Sequence, residues 1–252
     1  MCTIIALLGV HPRFPLVLAA NRDERYARPS DGPQRLASPP CAVAGRDLEH
    51  GGTWFGITPT GLAVAIADQG LAPTPTPKRS RGLLVLDALA CPSVAAVDAL
   101  LAELDHATYN PCTLLYAERG AARLAGVGPG QAHAPRALPP GLHVMVSGIG
   151  ADHARAREQR VRAALDSRRL AAAEPDTLRA TLAALLRAHD SQPDAHDALC
   201  RHGASAGTVS AFIALLAEAP AASQFWCAAG PPCRTPFADH SALLRPAAQP
   251  IS

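Results

Sequence analysis

Apolar residues cluster at the start of the chain in two short runs, TIIALLG over 3–9 and PLVLAAN over 15–21, separated by VHPRF. Runs of this length, too short for helices and interrupted by a proline-bearing connection, predict two buried strands. TWFGIT and LAVAIAD flank Pro59, Thr60 and Gly61 and predict a hairpin over 53–68. Between 71 and 80 the proline-rich LAPTPTPKRS excludes regular structure and reads as a surface loop. The spacing then turns helical. A helix is expected over 81–90, and a second one capped by Ser93, with Val94, Val97, Leu100, Leu101 and Leu104 on one side. CTLLYAE and ARLAGVG around Arg119 and Gly120 predict another hairpin, and LHVMVSG another strand. Two further helices are expected from 152 and from 176, the latter with Asp176 as its N-cap. TVSAFIALLA (208–217) and SQFWCAAG (223–230) read as closing strands.

The order is strands, helices, strands, helices, strands, without the strict alternation of a parallel doubly wound sheet. Largely antiparallel sheets with helices on their outer faces are expected, in an α+β fold. No internal repeat or linker divides the chain, so 1–252 reads as one domain.

Composition narrows the function classes. The chain has 252 residues, 48% of them apolar, and a formal net charge of +2. An apolar content of this size supports a sizeable core, and the charge gives no electrostatic ground for a nucleic-acid partner. No apolar run approaches the length of a membrane span. Seven cysteines, an odd number scattered through a chain too long to need stapling, read as reduced thiols in a cytoplasmic protein. MCTIIALLGV lacks the basic flank and the small-residue cleavage pattern of a signal sequence.

Two places carry candidate chemistry. The first is Cys2. Processing removes Met1 when the next side chain is small, and the new first residue would carry both a thiol and a free α-amine. These groups ordinarily titrate at about 8.5 and about 7.7–8.0, so the amine can act as general base for the thiol of its own residue. The alternative is a cysteine packed at the head of an apolar strand. The second place is Asn21-Arg22-Asp23-Glu24, at the end of the second run. In an extended chain Asn21 and Asp23 share one face and Arg22 and Glu24 the other. The group reads equally as a self-neutralising surface patch or as the lining of a site.

Taken together, MCTI, LAANRDERYARP, AGRDLEHGGTWFGITPTG at 44–61 and SRG at 80–82 resemble the NRDE family, the transport-and-Golgi-organisation 2 proteins. The resemblance is strong over the first third and continues through YNPCTLLYAE (109–118) and PPGLHVMVSG (139–148). That family is similar to cysteine-type N-terminal-nucleophile (Ntn) hydrolases. The resemblance therefore implies a four-layer α-β-β-α sandwich, a Cys2 nucleophile, and a site lined by Asn21, Arg22, Asp23 and Glu24. It also implies that Trp54 of the GGTW turn packs against or bounds the pocket. The implied activity is amide hydrolysis or acyl transfer on a small molecule through a Cys2 thioester.

Three positions depart from the family pattern: Ala67-Asp68, Ser147-Gly148 and Gly203-Ala204-Ser205. An asparagine amide donates to an oxyanion, whereas an ionised Asp68 would repel one. This favours a second class, a non-catalytic carrier of haem or acyl lipid, in which Cys2 or His50 would ligate haem iron. No cofactor is expected under the first class. His50, just before GGTW, reads as near the site or as an ordinary surface-turn histidine.

Other groups read as structural. His189, Asp190, Asp194, His196, Cys200 and His202 fit no standard metal spacing, and a solvated helix-loop region is expected there with no metal. Cys227 and Cys233, around a Gly-Pro-Pro turn, read as two buried thiols. The arginines at 155, 157, 160, 162, 168 and 169 are interleaved with acids and read as a solvated helix. Loops around 26–40, 71–80 and 128–140 are expected to line the pocket.

Overall fold

The computed structural model describes residues 2–36, 41–69, 78–148, 151–189 and 197–245. Two antiparallel sheets form its centre. The strands are β1 (Cys2–Leu8), β2 (Leu16–Arg25), β3 (Ser30–Arg35), β4 (Val43–Asp47), β5 (Phe55–Ile57), β6 (Ala63–Asp68), β7 (Cys112–Glu118), β8 (Ala121–Val127), β9 (Arg136–Ala137), β10 (Gly141–Val146), β11 (Ala206–Leu216), β12 (Gln224–Ala228) and β13 (Ala238–Asp239). One sheet has the order β10-β1-β2-β11-β12-β13 and the other runs β3 to β9 in sequence order.

Strand alternation explains why the apolar runs are continuous. In β1, Ile4, Ala6 and Leu8 point into the core between the sheets, while Ile5 and Leu7 point to the opposite face. A strand covered on both faces has no solvent side on which to place polar residues. The inter-sheet core joins Leu18, Ala20 and Phe212 to Phe55, Ala63, Ala65, Leu115 and Ala117, and the Phe55 and Phe212 rings stack with centroids 3.7 Å apart.

Helices cover both outer faces. α1 (Arg81–Leu89) and α2 (Val94–Ala102) bury Leu84, Val85, Leu89, Val97 and Leu101 against Val64, Leu114 and Tyr116. Serine side chains cap both helices, Ser80 accepting from the Gly82 N–H and Ser93 from the Ala96 N–H. On the other face α3 (Ala151–Ala164), α4 (Ser167–Ala171) and α5 (Pro175–Arg187) place Val161, Leu170, Leu178, Leu182 and Leu186 over Ile5, Val17, Ala19 and Ile213. The layers are α-β-β-α.

Several elements differ from the sequence reading. β2 does not stop before the charged residues but continues through Arg25, because β11 pairs with it as far as Ala206 opposite Arg25. β3 and β4 form where a loop and no strand were expected. β3 is polar and contains Pro33, which an edge strand tolerates at its register irregularity between Asp31 and Gln34. The helical stretch from 152 breaks at Asp166, whose carboxylate caps α4. The cap of α5 lies two residues earlier than expected, with Glu174 at the cap position, Pro175 inside the first turn and Asp176 following it. The arginine-rich helix is not solvated all round, since Arg157 has 0% exposure.

Candidate functional site

Cys2 is the first residue of β1 and sits opposite Arg22 of β2 in register. It opens into a cavity of about 240 Å³ at the edge where the two sheets meet. Arg22, Asp23, Glu24, His50, Trp54 and Asp68 contribute to the same wall. Seven of the eight expected residues are thus brought together. The amide of the eighth, Asn21, serves the other face of the sheet, where Nδ2 donates to the carbonyls of Leu186 (2.9 Å) and Leu199 (2.8 Å).

The backbone of Cys2 is gripped by a residue the sequence reading left without a role. Ser147 follows β10, its Oγ accepts from the Cys2 N–H, and its own N–H donates to the Cys2 carbonyl at 2.9 Å. The next residue, Gly148, donates its N–H to the Asp68 carbonyl at the end of β6, also at 2.9 Å, which ties the two sheets together beside the cysteine. Burial pushes the Cys2 thiol up, the neighbouring Asp23 carboxylate adds to this, and the Asp23 backbone N–H and the Arg22 charge oppose it.

Arg22 is 7% exposed and lies over Trp54, its guanidinium carbon 4.0 Å from the ring centroid. Cation–π contact of this kind compensates part of the hydration lost on burial. Nη1 also donates to Ser30 Oγ at 3.1 Å, and Glu24 stands 3.9 Å away. Burial still lowers the Arg22 pKa, with Glu24 and Cys2 opposing. Gly45 makes room for the indole, since a Cβ there would stand 2.5 Å from Trp54 Cζ2. Glu24 reaches Arg28 at 3.4 Å, and Arg28 in turn binds Asp47 through two hydrogen bonds of 3.1 and 2.7 Å.

Asp23 turns its carboxylate to the helix side. Oδ1 accepts from Thr208 Oγ1 at 2.6 Å, and Oδ2 accepts from Arg157 Nη1 at 3.3 Å. Arg157 also donates to Thr3 Oγ1 at 3.1 Å. Burial pushes the Asp23 pKa up, while Arg157 and Thr208 pull it back. The face parity read from the sequence therefore holds: Arg22 meets the cavity, and Asp23 and Asn21 direct their side chains toward the helices.

Asp68 does not present a free negative charge to the cavity. Arg81, the first residue of α1, binds it through Nη1–Oδ1 at 2.8 Å and Nη2–Oδ2 at 3.1 Å. His50 lies on the exposed rim, 3.7 Å from the Glu49 carboxylate. Asn110 and Arg81 also line the cavity. Both lie in segments the family resemblance drew on, but nothing local marks them as site residues. Arg157 and Thr208 were missed because a lone arginine among many, or a threonine in a strand, carries no signal of its tertiary partner. Of the loops expected to line the pocket, the wall includes Arg28 and Lys78 to Ser80 but no residue of 128–140; 37–40 and 71–77 lie outside the described residues.

A second cluster corrects two readings. Cys227 and Cys233, expected as two buried thiols, are both free and only half-buried, and Cys233 faces Cys200, with Sγ atoms 3.6 Å apart, and His202, whose Nε2 lies 3.1 Å from Cys233 Sγ. The stretch around Cys200 is therefore not simply solvated, Cys200 having 0% exposure. Asp190, Asp194 and His196 lie outside the described residues.

Among solved structures, a Caenorhabditis elegans N-acylethanolamine-hydrolysing acid amidase ortholog matches with a TM-score of 0.49 and 13% identity, over 85% of this chain and 92% of that one. A mutant conjugated bile acid hydrolase from Clostridium perfringens matches with a TM-score of 0.54 at 11% identity, over 96% and 93%. The match to the bile acid hydrolase shows that this chain shares the α+β sandwich fold of that enzyme. Curated relatives include the Transport and Golgi organization protein 2 homolog of Homo sapiens, 35% identical over 92 residues, and its Mus musculus counterpart, 38% identical over 93. These matches cover 34% of this chain and only a third, 33%, of each relative's length. No helix among the described residues is long and apolar enough to cross a membrane. The family profile of Transport and Golgi organisation 2 matches residues 1–220, and the chain belongs to that family.

Proposed function

We propose that this chain is an N-terminal-nucleophile amide hydrolase or acyltransferase that works through Cys2 once Met1 has been removed. The observation that carries the reading is the setting of Cys2: it heads a strand buried on both faces, opens into the cavity beside Arg22, and has its backbone nitrogen held by Ser147. With the methionine gone, that nitrogen becomes an amine that can donate to Ser147 Oγ while its lone pair accepts the thiol proton. Sulfur then attacks the carbonyl carbon of a small amide or acyl substrate. Arg22 supplies positive charge where the oxyanion develops, and the ammonium returns its proton to the leaving group. Water or another acceptor resolves the thioester by the same proton path in reverse.

The ion pair with Arg81 answers the objection raised by Asp68, because a neutralised carboxylate repels an oxyanion far less. A carrier of haem or acyl lipid would call for a mainly apolar wall. The wall of this cavity includes Arg22, Arg28, Arg79, Arg81, Glu24, Asp47 and Asp68, which suits a small polar substrate better.

The test is intact mass before and after a thiol-reactive acyl electrophile. Loss of the methionine mass and one rapid adduct on Cys2, with the adduct absent in Cys2→Ala, is the expected result. Retention of Met1 in active protein, or full turnover by Cys2→Ala, would overturn the mechanism.

A further inference from the structure

The cluster of Cys200, His202 and Cys233 lies outside the cavity, and the proposed reaction makes no use of it. Cys200 and His202 flank Arg201 in the segment that leads into β11, and alternate residues of an extended segment place their side chains on one side. That segment is fixed by backbone hydrogen bonds: Cys200 N–H to the Ala188 carbonyl at 2.9 Å, Gly203 N–H to Ala206 at 3.0 Å, and Thr208 N–H to Arg201 at 2.9 Å. Cys233 arrives from a turn in which the Arg234 and Thr235 N–H groups both donate to the Pro231 carbonyl at 2.9 Å. Each ligand type is therefore presented by backbone that is already shaped.

The distances fit a metal. Sγ of Cys200 lies 3.6 Å from Sγ of Cys233, and His202 Nε2 lies 3.8 Å from the first sulfur and 3.1 Å from the second. A tetrahedral zinc ion, with bonds of about 2.3 Å to sulfur and about 2.0–2.1 Å to nitrogen, spaces its ligands by about 3.8 Å between sulfurs and about 3.6 Å between sulfur and nitrogen. All the potential ligand atoms fall within 4.8 Å of one another, so one ion can touch every one of them. Two thiolates and an imidazole form a donor set that selects zinc over the hard cations.

We infer that Cys200, His202 and Cys233 form a zinc site, completed by solvent in the fourth position. Binding releases two thiol protons to solvent and uses the neutral imidazole through Nε2. The ion would join the chain before β11 to the turn after β12. Its influence would reach the candidate active site through Arg201 and Thr208, since Arg201 N–H donates to Thr208 Oγ1 at 2.8 Å and Thr208 Oγ1 donates to Asp23 at 2.6 Å. The inference stands on the cluster alone and not on the proposed catalysis.

The experiment is titration of the reduced, metal-stripped full chain with zinc against a chromophoric chelator, and with cobalt as a spectroscopic probe. One equivalent of zinc and a sulfur-to-cobalt charge-transfer band are expected. Cys233→Ser and His202→Ala should each weaken zinc binding by at least about tenfold, while Cys91→Ser leaves it unchanged. Zinc binding that survives Cys233→Ser would overturn the site. So would a wild-type cobalt spectrum without the sulfur band, a reading that does not depend on any variant folding. A Cys200–Cys233 disulfide in protein purified without reductant, followed by no metal uptake after reduction, would assign the pair to redox chemistry and overturn the zinc site as well.

Discussion

Arg157 and Asp23 are both buried, and each charge faces the other at 3.3 Å. Removing one partner takes from the second its main opposite charge in a region of low dielectric. Arg157→Leu is therefore expected to lower the unfolding free energy by about 3–5 kcal/mol, read from urea denaturation. Adding Asp23→Asn should recover part of that loss, and a single-variant cost under about 1 kcal/mol would mean the pair is not what holds α3 to β2. Cys2 is governed by the same physics. Burial keeps its thiol protonated beyond the usual cysteine range, so in chain that retains Met1 the alkylation of Cys2 should be slow at neutral pH. Its rate should reach half its maximum only above pH about 8.5, the midpoint for a free cysteine. Processed chain, with an amine to take the proton, should react at neutral pH. Equal rates for the two forms would remove the amine from the mechanism.

Among the elements, α1 has the closest bearing on the site, because its first residue neutralises Asp68. The helix start lies directly against the turn before β5: the Thr53 N–H donates to the Gly82 carbonyl at 3.1 Å, and a Cβ on Gly52 would stand 2.7 Å from both Gly82 Cα and Leu83 N. Backbone cannot yield as a flexible side chain does. Gly52→Ala should displace α1, loosen the Arg81–Asp68 pair and lower turnover more than it lowers thermal stability. Unchanged kinetics in a folded variant would mean that the contact is slack. At this scale sequence reading succeeded where an element is defined by its own residues: β1, the β5–β6 hairpin, α1, and α2 with its Ser93 cap. It missed β3 and β4, because an edge strand such as Ser-Asp-Gly-Pro-Gln-Arg owes its conformation to its neighbour and not to its side chains.

For the whole molecule, the sandwich depends on three apolar layers and on a ring of ion pairs around the cavity. Phe55 belongs to the middle layer, and Phe55→Ala should cost about 3–5 kcal/mol by leaving a void between the sheets. The charged ring predicts acid sensitivity. Burial alone would raise the Asp47 pKa, but its hydrogen bonds to Arg28 more than reverse this, so its folded pKa lies below the ordinary carboxylate value. The stabilisation is then complete above the unfolded pKa of about 3.9 and is lost as pH falls through the lower folded value. Urea midpoints measured from pH 6 downward should drop below pH about 4, and less steeply in Asp47→Asn. An identical slope in that variant would assign the acid sensitivity to other groups. By itself the sequence determined the strand-helix order, the faces of Arg22 and Asp23, and the prominence of Cys2, because periodicity and residue type are local properties. Only the tertiary structure decided that Ser147 holds Cys2, that Arg157 and Thr208 hold Asp23, that Arg81 neutralises Asp68, and that Cys233 meets Cys200 and His202. Each of these contacts depends on how separate elements come together, and their partners are chosen by the stacking of the sheets and the packing of helices and loops on them, which no local pattern records.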